Sequence, residues 1–375
     1  MTSPRRRTEV SKPPQPQRSI SSIRPAYWGD LLSLRRLRGE TARLDMPEGV
    51  VAGMRPTRTA LWGMIPWLGN AWTYVYTLDG EPRAFVQARP RRGNYTWDVL
   101  YLAFGRKDRI GSAEARDHMW SGLLDTVTRT AGRRRATRLF ARVPDNADAM
   151  IALRGAGYIV YGREMLYVAP FHKTKPDPDS LGAVLHRQSA GDTWAIHQLY
   201  TLTTPKAQQF AEARTSSYWD LPERGGTQGA YWIGEPHEIT AYARVLVGEH
   251  THLVEVLFRP EVHGLLGSFV QRVLAALPAG EGDLVYCRVL GFQEDLAGTM
   301  EFLGFSLLTR QSLLVKYTTI SVREAVPAYV TMLPARSRMP VRRRVPSLGA
   351  VSAVLIRLWH WITRPFGLSH DGDLR

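Results

Sequence analysis

At 375 residues, with 49 Lys and Arg against 34 Asp and Glu and a formal net charge of +15, the chain is long for one domain and too basic to favour cationic partners. Its single cysteine, Cys287, excludes an internal disulfide framework and a cysteine-based metal cluster, and points to a reducing, cytoplasmic compartment. Anionic partners fit this balance: nucleotides, nucleic acid or an anionic membrane face.

Residues 1–21 are basic and Pro-rich with no apolar segment, so they read as a disordered tail rather than a signal peptide. A short strand at Ile23–Ala26 then leads through a turn into a helix from Asp30, whose carboxylate could cap the first-turn amides. Between Thr41 and Leu68 the periodicity is poor, and one short helix among loops is predicted. Two strand-like runs, Ala71–Thr77 and Arg83–Arg89, flank Asp79-Gly80, a strong hairpin signal. A third strand, Thr96–Phe104, completes an antiparallel meander. It runs into a basic turn, Gly105 to Ser112, and then a helix to about Ala131 with Trp120, Leu123, Leu124 and Val127 on one face. A strand delivered through such a turn into a helix start aims free backbone N–H groups at one place, which suits a phosphate-bearing ligand. A strand at Leu139–Val143, a cap at Asp145-Asn146, a helix stopped by Gly157 and closing strands at Ile159–Val168 finish the first half. The arginines at 133–135 read as a solvated helix end that complements the helix dipole, with nucleic-acid contact the lesser reading.

After a Pro-bearing linker the same order returns. Ala183–Arg187 is a strand, Asp192–Tyr200 a helix, and residues 228–258 a second three-strand meander. A turn at Pro260–Leu266, a helix to Leu277, the strand Leu284–Val289, a helix stopped by Gly304 and a closing strand Leu307–Tyr317 follow. The two Gly-aromatic helix stops, Gly157-Tyr158 and Gly304-Phe305, lie 147 positions apart, which marks an internal repeat. His250, His252 and His263 match no metal-ligand spacing and read as exposed or turn histidines, so no metal is expected.

This order of elements, with the helix pattern Asn146-x-x-Ala149-x-x-x-Leu153-x-x-x-Gly157-Tyr158, resembles the GNAT acyltransferase superfamily over residues 22–168 and 183–318. The resemblance implies an α+β chain of two tandem units, each a mixed, mostly antiparallel sheet flanked by helices. They span 22–170 and 183–320, with a linker at 171–182 and a basic tail from 321. It also implies acetyl-CoA as co-substrate and transfer of an acyl group to the amine of a small molecule or peptide. The pantetheine arm would pair with the strand backbone at Leu102 and Phe104. The pyrophosphate would sit on the turn residues Arg106, Arg109, Ile110, Gly111 and Ser112, and on Gly264 in the second half, with Asn146 added from the helix motif.

Both turns depart from the family's glycine-rich pattern. Arg106, Lys107 and Arg109 place charge where backbone approach is lost, whereas the second turn carries Glu261 and reads as the weaker binder. The tyrosine that protonates the departing thiolate in that family is replaced by Leu153 and Met300. Asp98 and Glu255, on the strand before each turn, are the candidate bases; the competing reading makes them outward positions on alternating strands. Beyond the second unit, the arginines at 336–344 and an amphipathic stretch to residue 366 suit either an anionic membrane surface or docking on the protein's own body. The expected alternative to catalysis is a GNAT-like scaffold that has lost its chemistry, with nucleic acid the less favoured partner.

Overall fold

The computed structural model describes residues 21–37, 41–44, 49, 51, 56–64, 71–91, 95–104, 113–145, 148–173, 182–220 and 228–318. The basic turn with Arg106, Arg109, Ile110, Gly111 and Ser112, together with Asn146, most of the linker and both tails, lies outside these residues.

In the first half the strands are β1 (Ser21–Pro25), β2 (Thr41–Arg43), β3 (Trp72–Leu78), β4 (Glu81–Pro90), β5 (Thr96–Phe104), β6 (Arg138–Pro144) and β7 (Ile159–Pro170). The helices are α1 (Leu31–Arg36), α2 (Pro56–Gly63), α3 (Ala113–Arg133) and α4 (Asp148–Gly155). The β3–β4 hairpin turns where Asp79 and Gly80 both take positive φ, 51° and 82°, the requirement of a primed two-residue turn. Gly157 ends the α4 segment at φ 85°, and Gly304 repeats this at 84°. Asp30 does not cap α1. Its carboxylate instead turns back to accept from the Tyr27 N–H and to pair with Arg24 at 2.6 Å, so it fastens the turn that precedes the helix.

The second half supplies β8 (His186–Arg187), β9 (Gln228–Glu235), β10 (Glu238–Val247), β11 (Thr251–Phe258), β12 (Leu284–Leu290) and β13 (Ser306–Tyr317). Its helices are α5 (Thr193–Thr203), α6 (Lys206–Glu212), α7 (Leu266–Ala275) and α8 (Glu294–Phe302). The α+β architecture is therefore the expected one, a mixed sheet with helices on its faces. The sequence reading did not anticipate α6, which starts directly after Pro205, or the 3-10 turn Ser216–Trp219.

The two halves do not keep separate sheets. One sheet runs β1-β3-β4-β5-β6-β13-β7-β12-β11-β10-β9-β8, with β2 on β5. Residues 159–168 thus form one long strand that leaves its own half rather than closing it as paired strands. β7 pairs with β12, and β13 pairs with β6. The cores record the same exchange. Leu314 from the second half packs with Trp120, Leu123 and Val127 of α3. Tyr167, Ala169 and Phe171 from the first half pack with Phe269, Val270 and Val273 of α7.

Where the exchanged strands cross, Gln311 donates through Nε2 to Glu164 Oε1 at 2.8 Å. These two residues are 147 positions apart, the repeat period itself, so they sit on the pseudo-twofold axis. Glu164 is 1% exposed, and its carboxylate is ion-paired to Arg142 of β6 at 3.2 Å and Arg288 of β12 at 2.9 Å. Removing one member of such a buried group leaves uncompensated charge.

Two outcomes follow from the exchange. A chain ending at residue 172 lacks β13 and should fail to form a folded monomer by circular dichroism and size-exclusion chromatography. Glu164→Ala should lose about 3–5 kcal/mol of stability, read as the shift in the urea unfolding midpoint.

Candidate functional site: two strand gaps and a buried arginine cluster

A parallel strand pair that parts leaves backbone groups facing each other across a gap, and those groups need partners. In the first half β5 and β6 are paired only at Thr96–Asp98 with Arg138–Phe140. In the second half β11 and β12 stay paired from Thr251 to Glu255 with Leu284 to Arg288. The candidate bases mark these endpoints: Asp98 is the last paired residue of β5, and Glu255 the last of β11.

The first gap is filled by the chain itself. Residues 41–43, predicted as loop, form β2 antiparallel to β5, with Ala42 opposite Leu102. Leu44 donates its N–H to Leu100 O at 2.9 Å and accepts from Arg142 N at 2.8 Å, so one peptide segment bridges the parted strands. Because hydrogen-bonded pairs alternate along an antiparallel ladder, the same register aims the backbone groups of Leu102 at Ala42. The edge expected to receive pantetheine at Leu102 therefore already has a partner. By the same alternation the backbone groups of Phe104 face this edge too, one step beyond the Thr41–Ala103 pair, and Ala84 is its non-hydrogen-bonded neighbour on β4.

The second gap is bridged by a side chain. Gln293, at the start of α8, donates Nε2 to Val256 O at 2.8 Å and accepts from Leu290 N at 2.9 Å. Its amide does what the Leu44 peptide does in the first half. Gly264 lies in a 3-10 turn, Pro260–Leu265, and a Cβ there would meet no protein atom within 4 Å.

Neither carboxylate is free. Asp98 lies 2.6 Å from the Arg91 guanidinium, which also covers the Phe140 ring at 4.0 Å. Burial opposes the charge on Arg91, but Asp98 more than offsets it and holds the arginine pKa above its ordinary value. Glu255 accepts from Arg288 at 2.6 Å, and so joins the cluster around Glu164.

The same side of the sheet carries a further pair. Arg214, after α6, binds Glu212 at 2.6 Å, and Tyr200 and Gln208 both donate to that carboxylate at 3.0 Å. Burial raises the Glu212 pKa, but Arg214 and Arg288 overcome it and hold the carboxyl below the ordinary range. Tyr200, Trp219, Tyr242, Arg244 and Glu255 line a cavity of about 20 Å³ beside this pair. Spacing along the sequence could not assemble this group, because its members come from six elements.

Cys287 is buried one residue before Arg288, and desolvation with the Glu255 charge pushes its thiol up to about 12. It stays protonated at neutral pH and is no nucleophile. Leu153 and Met300 are both 0% exposed, so the positions of the family's tyrosine are core-facing. His250 and His252 both face Asp283, at 3.2 and 3.3 Å. Among the described residues no group of three or more His, Cys, Asp or Glu could hold a metal ion.

If β2 fills the gap as described, Ala42→Pro should release it. Hydrogen exchange at the Leu102 amide should then quicken by at least tenfold, while Ala103, whose backbone faces β4, should keep its rate.

No protein-family description and no curated relative matches the chain. Solved structures do. A GCN5-related N-acetyltransferase from Sphaerobacter thermophilus matches at 13% identity and a TM-score of 0.46, covering 81% of this chain and 96% of its own. A tandem GNAT protein from the clavulanic acid biosynthesis pathway matches at 14% and 0.44, covering 80% and 99%. A putative acetyltransferase from Pyrococcus horikoshii matches at 10% and 0.44, covering 80% and 90%. The likeness spans both halves at low identity and adds nothing to the chemistry read from the residues.

Proposed function

We propose that this protein is an acyl-CoA-dependent N-acyltransferase whose first half binds the donor, acetyl-CoA, and presents it to the amine of a small molecule or peptide. One observation carries the reading: β5 and β6 part after three residue pairs, and among the described residues the β5 edge beyond them is covered by the short strand β2, whose bonds a ligand's amides would replace. Pantetheine carries two amides, and each bond it made to β5 would replace one made by residues 42–44. Asp98 stands at the apex of the parting strands. Paired with Arg91, its carboxylate is placed to take an ammonium proton through water. No tyrosine occupies the family's acid position, so the thiolate would be protonated by solvent. In the second half the Gln293 bridge sits on the helix that follows β12 and is 4% exposed, which favours a supporting or ligand-holding role there.

A second reading rests on a specific observation as well. Both gaps are closed by the chain's own amides, as expected of a fold that has kept its architecture and lost its donor. In that reading the basic segments at 336–366, outside the described residues, would supply contact with an anionic membrane or nucleic acid. Among the described residues no helix is long and apolar enough to cross a membrane.

Isothermal titration of acetyl-CoA into the whole protein separates the readings. Donor binding predicts saturable heat, competition by CoA, and tighter binding by Ala42→Pro, since β2 no longer has to be displaced. Absence of heat from both proteins would leave the scaffold reading standing and remove the enzyme.

A further inference from the structure

The sheet ends at β1, whose only partner among the described residues is β3. The Ala26 N–H reaches Thr73 O at 2.9 Å, so the alternation of an antiparallel ladder turns the N–H and C=O of Ile23 to the outer edge. Among the described residues none answers them there. An open edge of this kind is a template for a further extended chain. Helix α3 runs beside it. A Cβ on Gly122 would lie 2.9 Å from Ile23 Cδ1, so glycine at this position lets the helix approach β1. Two turns on, the Thr130 and Tyr74 hydroxyls lie 2.8 Å apart and tie the helix to β3.

A groove of about 570 Å³ opens along these contacts. Ile23, Tyr74 and Tyr76 contribute from the sheet, and His118, Arg129 and Arg133 from one stripe of α3. The stripe from 118 to 133 spans about 22 Å at 1.5 Å per helical residue, the length of about six residues of extended chain. No carboxylate lines the groove. Of the described carboxylates on α3, Asp125 lies 3.6 Å from Lys316 of β13, and Asp117 sits about 100° round the helix from His118. Arg129 touches only neutral acceptors, Asp125 O and Thr126 Oγ1, both at 3.4 Å. Both arginines are exposed, so selection here rests on complementarity and not on the relief of a buried charge.

We propose that the groove between β1 and α3 docks an extended acidic peptide segment, which adds a strand to the β1 edge and sets carboxylates against Arg129 and Arg133. The Ile23 edge has an N–H to give and a C=O to satisfy. A peptide strand answers both, whereas a sugar-phosphate backbone offers acceptors and no N–H in return. Guanidinium forks match carboxylates with paired N–H bonds. The residues that precede β1 carry Arg5, Arg6, Arg7, Lys12 and Arg18 against Glu9, the wrong charge for this wall. The site is separate from the proposed donor site, because none of its residues lies on β2, β5 or β6.

The test uses the full chain, no acyl donor, and a fluorescein-labelled peptide of alternating Glu and Val, followed by fluorescence anisotropy. The expected result is saturable binding that weakens at least tenfold in Arg129→Glu/Arg133→Glu. Binding should be unchanged in Arg154→Glu/Arg187→Glu, which makes the same change of charge at exposed positions on α4 and β8. Should the first variant not fold, Arg133→Gln is read in its place, and weaker binding is again expected. Methylating alternate peptide nitrogens separates edge pairing from charge. Of the two registers, one should bind like the parent and the other at least tenfold more weakly. No saturable binding, an equal loss in the two charge-reversed variants, or equal binding by the two methylated registers overturns the proposal. Tighter binding of an oligothymidylate of matched charge overturns the choice of a peptide. Failure to bind acetyl-CoA leaves this titration unaffected, so the two ideas fail separately.

Discussion

A buried carboxylate at the crossing of two exchanged strands is the constraint on which the rest of this protein depends. Glu164 is ion-paired to an arginine of β6 and an arginine of β12, one from each half, and accepts from the residue that the repeat makes its own counterpart. Burying a charge in this way is favourable only when its partners are all in place. They come together only if β7 and β13 pass each other in one register. The charge cluster therefore selects the exchanged arrangement against one in which each half closes on itself, because a half alone provides at most one of the two arginines.

The exchange also decides what surrounds the gaps. Since β13 lies beside β6 and β7 beside β12, both gap-lining strands are fixed on their far sides by the other half. The gaps then have to be satisfied from the near side, and the protein does so in two ways with the same chemistry. A main-chain amide at Leu44 and a side-chain amide at Gln293 each give an N–H to one strand and a C=O to the other. Arg288 links this arrangement to the centre, because it binds Glu164 with one nitrogen and Glu255 at the mouth of the second gap with another.

Much of this was legible in the sequence, and what was not has a physical reason. Asp79-Gly80 fixed a hairpin because few residues accept positive φ twice in succession, and the face of Trp120, Leu123, Leu124 and Val127 fixed α3 through its period. Both signals are local. Strand exchange is not local: β7 shows the same alternation whether it pairs within its half or beyond it, and the Glu164–Gln311 contact, one repeat period apart, is visible only once the strands are seen side by side. Thr41–Arg43 is too short to display a period, so β2 was invisible and with it the occupation of the Leu102 edge. Asp98 and Glu255 were found as carboxylates on the right strands, but their arginine partners come from residues that sequence spacing does not connect.

The two closures differ in how reversible they are, and this separates the halves in role. Withdrawing residues 42–44 breaks a few backbone hydrogen bonds at about 1 kcal/mol each and uncovers Leu44, at about 2–3 kcal/mol for a fully buried leucine. A ligand that offers amides and an apolar arm recovers much of that sum, so exchange is within reach of ordinary binding energies. Gln293 presents a different problem. It begins α8, whose Leu296 and Met300 are both 0% exposed in the core shared with the first half's Tyr167. Moving its amide out of the gap disturbs the helix start and the exchanged strand together. The first closure is therefore the less costly of the two to undo, and the second is tied to the helix start and the core behind it.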